Sequence, residues 1–183
     1  MPKKTLTQEY LLSLFDYIPG TGELIRKPKS VITSWDKRWN TCFAGKVAGA
    51  GGVGTRGNKT AWYVSVDGHP YVAHRLIWIM VKGSVDDVPM IDHKNRDSYD
   101  NRWLNLQASD NETNQWNRVA PKNSTTGVKG VSWCERMGKY KSAIRISGSY
   151  HHLGYHATKG LAALAHAKAS VRLHGRFSPY LNR

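Results

Sequence analysis

The chain has 183 residues, enough for one medium domain or two small ones, and 40% of them are hydrophobic, so gross disorder is excluded. Its net charge of +14 and pI near 9.9 favour an anionic polymer as partner, nucleic acid before a membrane. The sequence has no apolar run of membrane-spanning length and no signal-peptide pattern, so we expect a cytoplasmic protein with no membrane partner.

The N-terminal segment predicts a short helix, a turn and a strand. Residues 7–17 carry apolar side chains at helical spacing. The turn formers of 19–22 follow, and residues 23–26 then favour a strand. Residues 28–60 fit no clear pattern of helix or strand.

A glycine-rich run at 45–60 is reminiscent of a phosphate-binding loop. Its spacing argues against that function, because Asn58 separates Gly57 from Lys59-Thr60 and a strand, rather than a helix, is expected next. A flexible hairpin loop, close to a phosphate backbone in a complex, is the better interpretation.

Residues 62–66 and 71–74 flank Asp67-Gly68, which is a strong signal for a β-hairpin. A helix is expected from about His74 to Val81. The apolar side of this helix is predicted to carry Leu76, Ile77, Met80 and Val81.

Two polar residues open this helix, and each has two possible roles. His74 either approaches a catalytic cleft or is a packed residue at the start of the helix. Arg75 either contacts a phosphate or is a solvated surface charge.

The stretch 91–117 carries the strongest chemical signal. Val88 to Ile91 and Trp103 to Leu106 predict two short strands, joined by a polar loop rich in turn formers. Ser109 and Glu112 fit a capping box, which predicts a helix from about Asp110 to Trp116. The predicted unit is strand, loop, strand and helix.

Four side chains in this unit suit hydrolysis. His93 can act as a general base near neutral pH. Asp92 and Asn114 offer oxygen ligands to Mg²⁺ or Mn²⁺. Asn105, expected on the second strand, can hold the His93 loop through side-chain to backbone hydrogen bonds. Neighbours on a regular strand point to opposite faces, so Asp92 and His93 can serve one site only where the strand ends or is irregular.

At these residues the chain resembles the zinc-free HNH nucleases of phage and intron homing endonucleases. The resemblance rests on Asp92-His93, on Asn105 before Leu106 and on Asn114, supported by the segment AHRLIW at 73–78. It implies a ββα-metal nuclease with no zinc, in which one divalent ion is held by Asp92 and Asn114. It further implies that His93 activates water, that Asn105 braces His93, and that the products carry 3′-hydroxyl and 5′-phosphate ends.

After Asn117 a proline-containing polar segment predicts a linker, and the pattern then changes. The remaining sequence predicts three strands and a helix. Thr158 is expected to cap the helix and Gly175 to end it, with a narrow apolar stripe facing the sheet. This stripe is predicted to comprise Leu161, Leu164, Ala165, Ala169 and Leu173.

Residues 121–183 carry eleven Lys/Arg against one acid, whereas residues 1–120 carry sixteen against twelve. This difference in charge favours two modules, of which the C-terminal one provides the electrostatic attraction to a polyanion. The two cysteines, Cys42 and Cys134, lie far apart in the sequence and are expected to be free, buried thiols.

Residues 124–182 resemble the DNA-binding domain of plant ethylene-response factors, the AP-two domain, which also occurs fused to phage HNH nucleases. The resemblance rests on GVKGVSW, KYKSAIRI, HHLGYH and the helix LAALAHAKASVRLHG. It implies a three-stranded sheet that lies in the DNA major groove and a helix that packs behind the sheet.

Strand alternation in KYKSAIRI places Tyr140, Ile144 and Ile146 toward the helix, and Lys141, Ala143 and Arg145 on the other face, which the resemblance turns toward DNA. Arg145 can read guanine or bind phosphate, and each lysine is otherwise a solvated charge. The full set of expected DNA-binding residues is Arg75, Lys129, Ser132, Lys139, Lys141, Arg145, Tyr150 and His152.

The expected fold is α+β, with an HNH nuclease domain over 1–118 (its ββα-metal core at about 74–118), a linker over 119–127, and a DNA-binding domain over 128–183. The expected function is metal-dependent cleavage of double-stranded DNA by a monomer or dimer. The alternatives are a non-catalytic DNA-binding regulator with a degenerate HNH unit, and an RNA-binding protein.

Overall fold

The computed structural model describes residues 6–53 and 59–181. Within them the chain forms two compact units. The N-terminal unit comprises the chain up to His93 together with Asp97–Ala108, and the C-terminal unit comprises Lys94–Arg96 together with the chain from Ser109 onward. The architecture is α+β, as predicted, with five α-helices and four small sheets in the described residues.

The first half of the chain forms three helices and two small sheets. In chain order its elements are α1 Gln8–Leu14, β1 Phe15–Ile18, β2 Glu23–Arg26, α2 Ser34–Phe43, β3 Ala50–Val53, β4 Lys59–Val66, β5 His69–Val72 and α3 Ala73–Lys82. Strands β1 and β2 form an antiparallel hairpin, and β3, β4 and β5 form an antiparallel sheet in that order.

The candidate site and the C-terminal module follow. Their elements are β6 Met90–His93, β7 Leu106–Ser109, α4 Asn111–Asn117, β8 Val131–Cys134, β9 Lys139–Ile146, β10 Ser149–His156 and α5 Lys159–His174. Strand β6 pairs with β7, and the antiparallel sheet β10-β9-β8 packs on α5. Of the helices described, the longest has 16 residues and none has the length and hydropathy of a membrane span.

Helix α3 is the centre of the N-terminal core. Six of its ten residues are buried and apolar, so packing this helix removes a large apolar area from water. Leu11 from α1, Val64 from β4 and Leu24 from β2 join the same core cluster. The predicted hairpin at Asp67-Gly68 and the predicted helix after it are confirmed. Val81, however, is exposed, and Trp78 and Ile79 are buried in addition to the predicted residues.

Four further local predictions in the first 117 residues are wrong. The first helix ends at Leu14, because Phe15 to Ile18 pair with β2 instead of continuing the helix. Trp103 to Asn105 form a 3₁₀ turn rather than a strand, and Leu104 is 84% exposed. The box that caps α4 is formed by Asp110 and Thr113, one residue later than predicted, because Ser109 ends β7.

The fourth wrong prediction concerns Cys42, which is exposed rather than buried, while Cys134 is half-buried; both are free thiols. Part of the unassigned segment 28–60 forms α2 and β3. The prediction of a hairpin loop rather than a phosphate-binding loop at 45–60 partly concerns residues 54–58, which lie outside the described residues.

The C-terminal strands, the Thr158 cap and the helix end at Gly175 are confirmed, as is the alternation in β9. The predicted apolar stripe of α5 is wrong at Leu161, Leu164 and Leu173, which are exposed, whereas Ala169 is buried as predicted. The helix instead buries Ala162, His166, Ala169, Ser170 and His174. Small and hydrogen-bonded side chains let α5 lie close to the sheet, where three leucines would hold it away.

Candidate active site

Strand β6 ends at His93, directly after Asp92. Burial alternates along this strand, with Ile91 and His93 buried and Asp92 partly exposed. The strand is therefore regular up to its end. His93 is the last residue of the strand, and that Asp92 and His93 serve one site stays a prediction.

His93 is 7% exposed, and its imidazole is held by a neighbouring amide. Its Nε2 lies 3.2 Å from Oδ1 of Asn101, itself a buried residue. The Nδ2 of Asn101 donates to the Tyr99 carbonyl at 3.3 Å, which orients the amide oxygen toward the imidazole. Because an amide oxygen only accepts, Nε2 carries the proton in this pairing and Nδ1 carries the lone pair.

A second histidine packs against His93. The ring of His74, in the first turn of α3, lies 5.1 Å from that of His93 with the planes at 81°. Burial, reinforced by the proximity of His93 and Arg75, lowers the pKa of His74 to about 4. His74 is thus neutral near pH 7, and it is at once a packed residue at the start of α3 and a neighbour of His93.

Asn105 lies in the 3₁₀ turn rather than on a strand. Its Nδ2 donates at 2.7 Å to the backbone carbonyl of Asp100, the residue that precedes Asn101. Asn105 therefore holds the backbone of the loop, and the amide of Asn101 contacts the imidazole. The sequence did not single out Asn101, because it is one of several asparagines in a polar loop.

The N-terminal hairpin supports the same loop. The hydroxyl of Tyr17 donates to the carbonyl of Asn101 at 2.9 Å, and burial raises the pKa of Tyr17 to about 12. Gly22 has a φ of +82°, and a Cβ there would lie 2.5 Å from the backbone nitrogen of Arg102. The turn after β1 thus contacts the loop backbone so closely that only glycine fits.

The glycine-rich segment also contributes to this support. The hydroxyl of Tyr99 donates to the carbonyl of Gly52 at 2.8 Å, and its ring meets Trp62 edge-on at 5.8 Å. A Cβ on Gly51 would lie 2.6 Å from the Tyr99 ring. One function of these glycines is therefore to let the tyrosine of the candidate site pack on the β3–β4 sheet.

The surroundings of Asp92 suit a hard cation. The Nε2 of Gln107, a buried residue, lies 3.3 Å from Oδ2 of Asp92. The other amide atom of Gln107, Oε1, is buried without a hydrogen-bond partner in the structure. Carboxylate and amide oxygens are ligands that Mg²⁺ and Mn²⁺ accept. Within residues 6–53 and 59–181, no three His, Cys, Asp or Glu side chains come together as a metal cluster.

Asn114, the other expected metal ligand, lies on α4 in the C-terminal unit. The C-terminal end of that helix is held by Lys129. Its Nζ donates to three backbone carbonyls, those of Gln115, Trp116 and Arg118, at 2.7, 2.7 and 2.8 Å. Burial lowers the pKa of Lys129 to about 8. With three protons on three carbonyls, its ammonium holds α4 in place, a structural role that the sequence did not predict, and its expected role in binding DNA stays a prediction.

The other expected DNA-binding residues of the C-terminal sheet share one face. Ser132 pairs with Lys141, and Tyr150 pairs with Arg145, whose guanidinium lies 5.4 Å from the tyrosine ring. Directly paired residues on antiparallel strands project to the same side. These residues are exposed, together with Lys139 and His152 on the same face, and Arg75 is exposed on α3 of the N-terminal unit.

Comparison with known proteins gives two matches to parts of the chain. Residues 71–115 match the family model described as HNH endonuclease. A stretch of 107 residues, 58% of the chain, is 24% identical to Protein 3.8 of Escherichia phage T7 and covers 88% of that protein. No solved structure matches the chain. The family match spans Asp92, His93, Asn101, Asn105 and Asn114.

Proposed function

We propose that this protein is a metal-dependent endonuclease that hydrolyses phosphodiester bonds in double-stranded DNA. The observation that carries the proposal is the position of His93 within the segment that matches HNH endonucleases. The imidazole is buried at the end of β6 and fixed by Asn101, with His74 against it. A general base has to be held in a fixed orientation within reach of the proton that it takes, and the fixed imidazole of His93 meets the first of these requirements.

In this proposal Nδ1 of His93 takes a proton from water, and the water oxygen bonds to phosphorus as the bond to the 3′ oxygen breaks. The departing oxygen takes its proton from solvent, which leaves 3′-hydroxyl and 5′-phosphate ends. Asn101 keeps the imidazole in the required tautomer and orientation. Asn105, Tyr17 and Tyr99 hold the loop that carries Asn101.

Asp92 and Asn114 would hold one divalent ion, Mg²⁺ or Mn²⁺, as the HNH resemblance implies. The unpartnered oxygen of Gln107 beside Asp92 fits such an ion and adds a candidate ligand. When bound, the ion supplies positive charge that stabilises the developing charge on the scissile phosphate and leaving oxygen. A single carboxylate makes this a weak site, so the ion is expected to exchange readily.

We further propose that the C-terminal sheet binds the DNA, in the manner of the AP-two domain that it resembles. The face with Lys139, Lys141 and Arg145 is exposed, and residues 121–183 carry eleven Lys/Arg against one acid. Arg145→Ala is expected to weaken binding by about 1–3 kcal/mol. Lys168→Ala, an exposed charge on α5, is the matched control and should bind as the native chain does.

The test is nicking of a supercoiled plasmid with Mg²⁺, with Mn²⁺ and with a chelator. The native chain should nick with either ion and not with chelator, and His93→Ala should lose cleavage while retaining DNA affinity. His69→Ala, in the same unit, is the control. A native chain that binds DNA but cuts with neither ion would instead support the non-catalytic regulator, and preference for structured RNA over duplex DNA would support the RNA-binding alternative.

A further inference from the structure

Helix α2 of the N-terminal unit contributes no buried side chain to the core. It is nevertheless well formed, because Thr33 and Asp36 form a complete capping box at its start. Its aromatic residues Trp35, Trp39 and Phe43 recur every four positions and so share one face. Trp35 is 74% exposed and Phe43 45% exposed. The unit does not need this aromatic face for its own core.

Two cations are fixed on these rings. The Nζ of Lys29 lies 4.5 Å from the centre of the Trp39 ring, and the guanidinium of Arg26 lies 5.6 Å from that of Phe43. The two aromatic rings are 5.6 Å apart. The Asn40 amide exchanges two hydrogen bonds of 2.8 Å with the backbone of Lys29, which holds the lysine beside the helix. The two neighbouring rings of Trp39 and Phe43 thus lie between two cations in a preformed row.

This row forms one side of a cavity of about 640 Å³. Tyr10 and Asp67 lie among the other lining residues, and the Tyr10 hydroxyl donates to the Asp67 carboxylate at 2.7 Å. Lys27 also lines the cavity, but its ammonium pairs with Asp16 at 3.1 Å. Arg26 and Lys29 are therefore the cations that the row presents to an anion.

The charge distribution indicates which anion this is. Residues 26–46 carry six Lys/Arg against one acid, a net charge of +5, whereas residues 1–120 together carry only +4. The HNH-matching segment 71–115 has five Lys/Arg against seven acids, a net charge of −2. A segment of that sign repels a polyanion, so a substrate strand has to be held by neighbouring positive surface.

We propose that the surface formed by Arg26, Lys29, Trp35, Trp39 and Phe43 is a second DNA-binding site, separate from the C-terminal sheet. Phosphates bind Arg26 and Lys29, and a base stacks on the exposed aromatic face, most openly on Trp35. Cations placed beside exposed aromatic rings are the combination that binds strands with unstacked bases. The site binds a strand that is locally unpaired more tightly than an intact duplex, and this binding does not require that the chain cuts DNA.

The experiment measures binding of the full chain to a fluorescent duplex and to the same duplex with a short gap, by anisotropy at several salt concentrations in chelator. Lys29→Gln removes a phosphate contact and should reduce the slope of log affinity against log salt by about 1. Trp35→Ala should leave that slope unchanged and weaken binding to the gapped duplex by about 5-fold or more. Lys82→Gln is the matched control, because Lys82 also lies on a ring, that of Trp103 at 5.7 Å, in the same unit.

Equal affinities and slopes for the native chain, Lys29→Gln and Trp35→Ala on both DNAs would overturn the proposal. The proposal would also be overturned if Lys82→Gln weakened DNA binding as much as Lys29→Gln does, since the loss would then not be specific to Lys29. Thermal melting of each variant checks the fold, and α2 lies outside the core, so native melting temperatures are expected. Binding is measured without metal, so its outcome does not depend on cleavage. A chain that never cuts DNA can still show the second binding site, and an active nuclease can still lack it.

Discussion

The indole of Trp116 stacks on the imidazole of His174, with ring centroids 4.3 Å apart and planes 7° from parallel. Trp116 belongs to α4, the helix that carries Asn114, and His174 ends α5. Phe177 meets the same indole edge-on at 6.4 Å. Together with Lys129, these contacts show that α4 is packed within the C-terminal unit. A chain cut at residue 120 would leave α4 without these partners.

Lys129→Met should lower the free energy of unfolding of the C-terminal unit by about 2 kcal/mol, because three carbonyls at the end of α4 lose a charged donor. Urea unfolding followed by tryptophan fluorescence measures this. Lys139→Met is the control, since Lys139 is exposed on β9 and should change little. If both variants unfold at the same urea concentration, the three bonds do not hold α4.

Asn101→Leu should reduce the cleavage rate by about 10-fold or more, since His93 loses the acceptor that fixes its tautomer. Affinity for DNA measured in chelator should not change. Asn105→Ala should reduce cleavage too, and also weaken the fold of the loop, because it releases the Asp100 carbonyl. If Asn101→Leu cleaves DNA at the native rate, contacts other than the one with Asn101 orient His93.

Gly22→Ala should lower the free energy of unfolding by more than 1 kcal/mol and slow cleavage, since a Cβ there meets the backbone of Asn101 and Arg102 and φ is +82°. Gly20→Ala, two residues earlier in the same turn, is the matched control, because a Cβ there meets nothing within 4 Å. Chemical unfolding and plasmid nicking of the two variants should separate them. Identical behaviour would show that the turn does not support the loop.

The stability of the C-terminal unit should fall as the pH drops from about 6.5 to 4. Burial lowers the pKa of His166, which is 2% exposed, to about 4. Between this value and the ordinary value near 6.5 the unfolded chain binds more protons, so acid favours unfolding, by up to ~3 kcal/mol in total. Burial also lowers the pKa of His174, which adds to the effect.

Urea midpoints at pH 7.0, 5.5 and 4.5 measure this dependence. His166→Gln keeps a polar group near the Tyr180 hydroxyl, which lies 3.0 Å from Nδ1, and should flatten the profile. A profile equally steep in His166→Gln would assign the acid sensitivity to other groups.

Local sequence determined much of the secondary structure. The Asp67-Gly68 turn, the Thr158 cap and the alternation in β9 each depend on the few residues involved, and all three form where predicted. Local signals failed where a neighbour in space decided the outcome. Phe15 leaves the helical pattern because β2 offers its backbone a partner, and the short apolar run at Trp103 and Leu104 folds as a turn that exposes Leu104.

For the candidate site, the sequence predicted His93, Asp92, Asn105 and Asn114 because a motif with fixed spacings carries them. Only the tertiary structure distinguished Asn101 from the other asparagines, assigned Lys129 to the end of α4, and gave Gly22 and Gly51 their neighbours. The physical reason is that spacing along the chain fixes which side chains can share a strand or a helix face. Which amide meets an imidazole, or which ammonium meets three carbonyls, depends on contacts between segments distant in sequence, and these form only when the core packs.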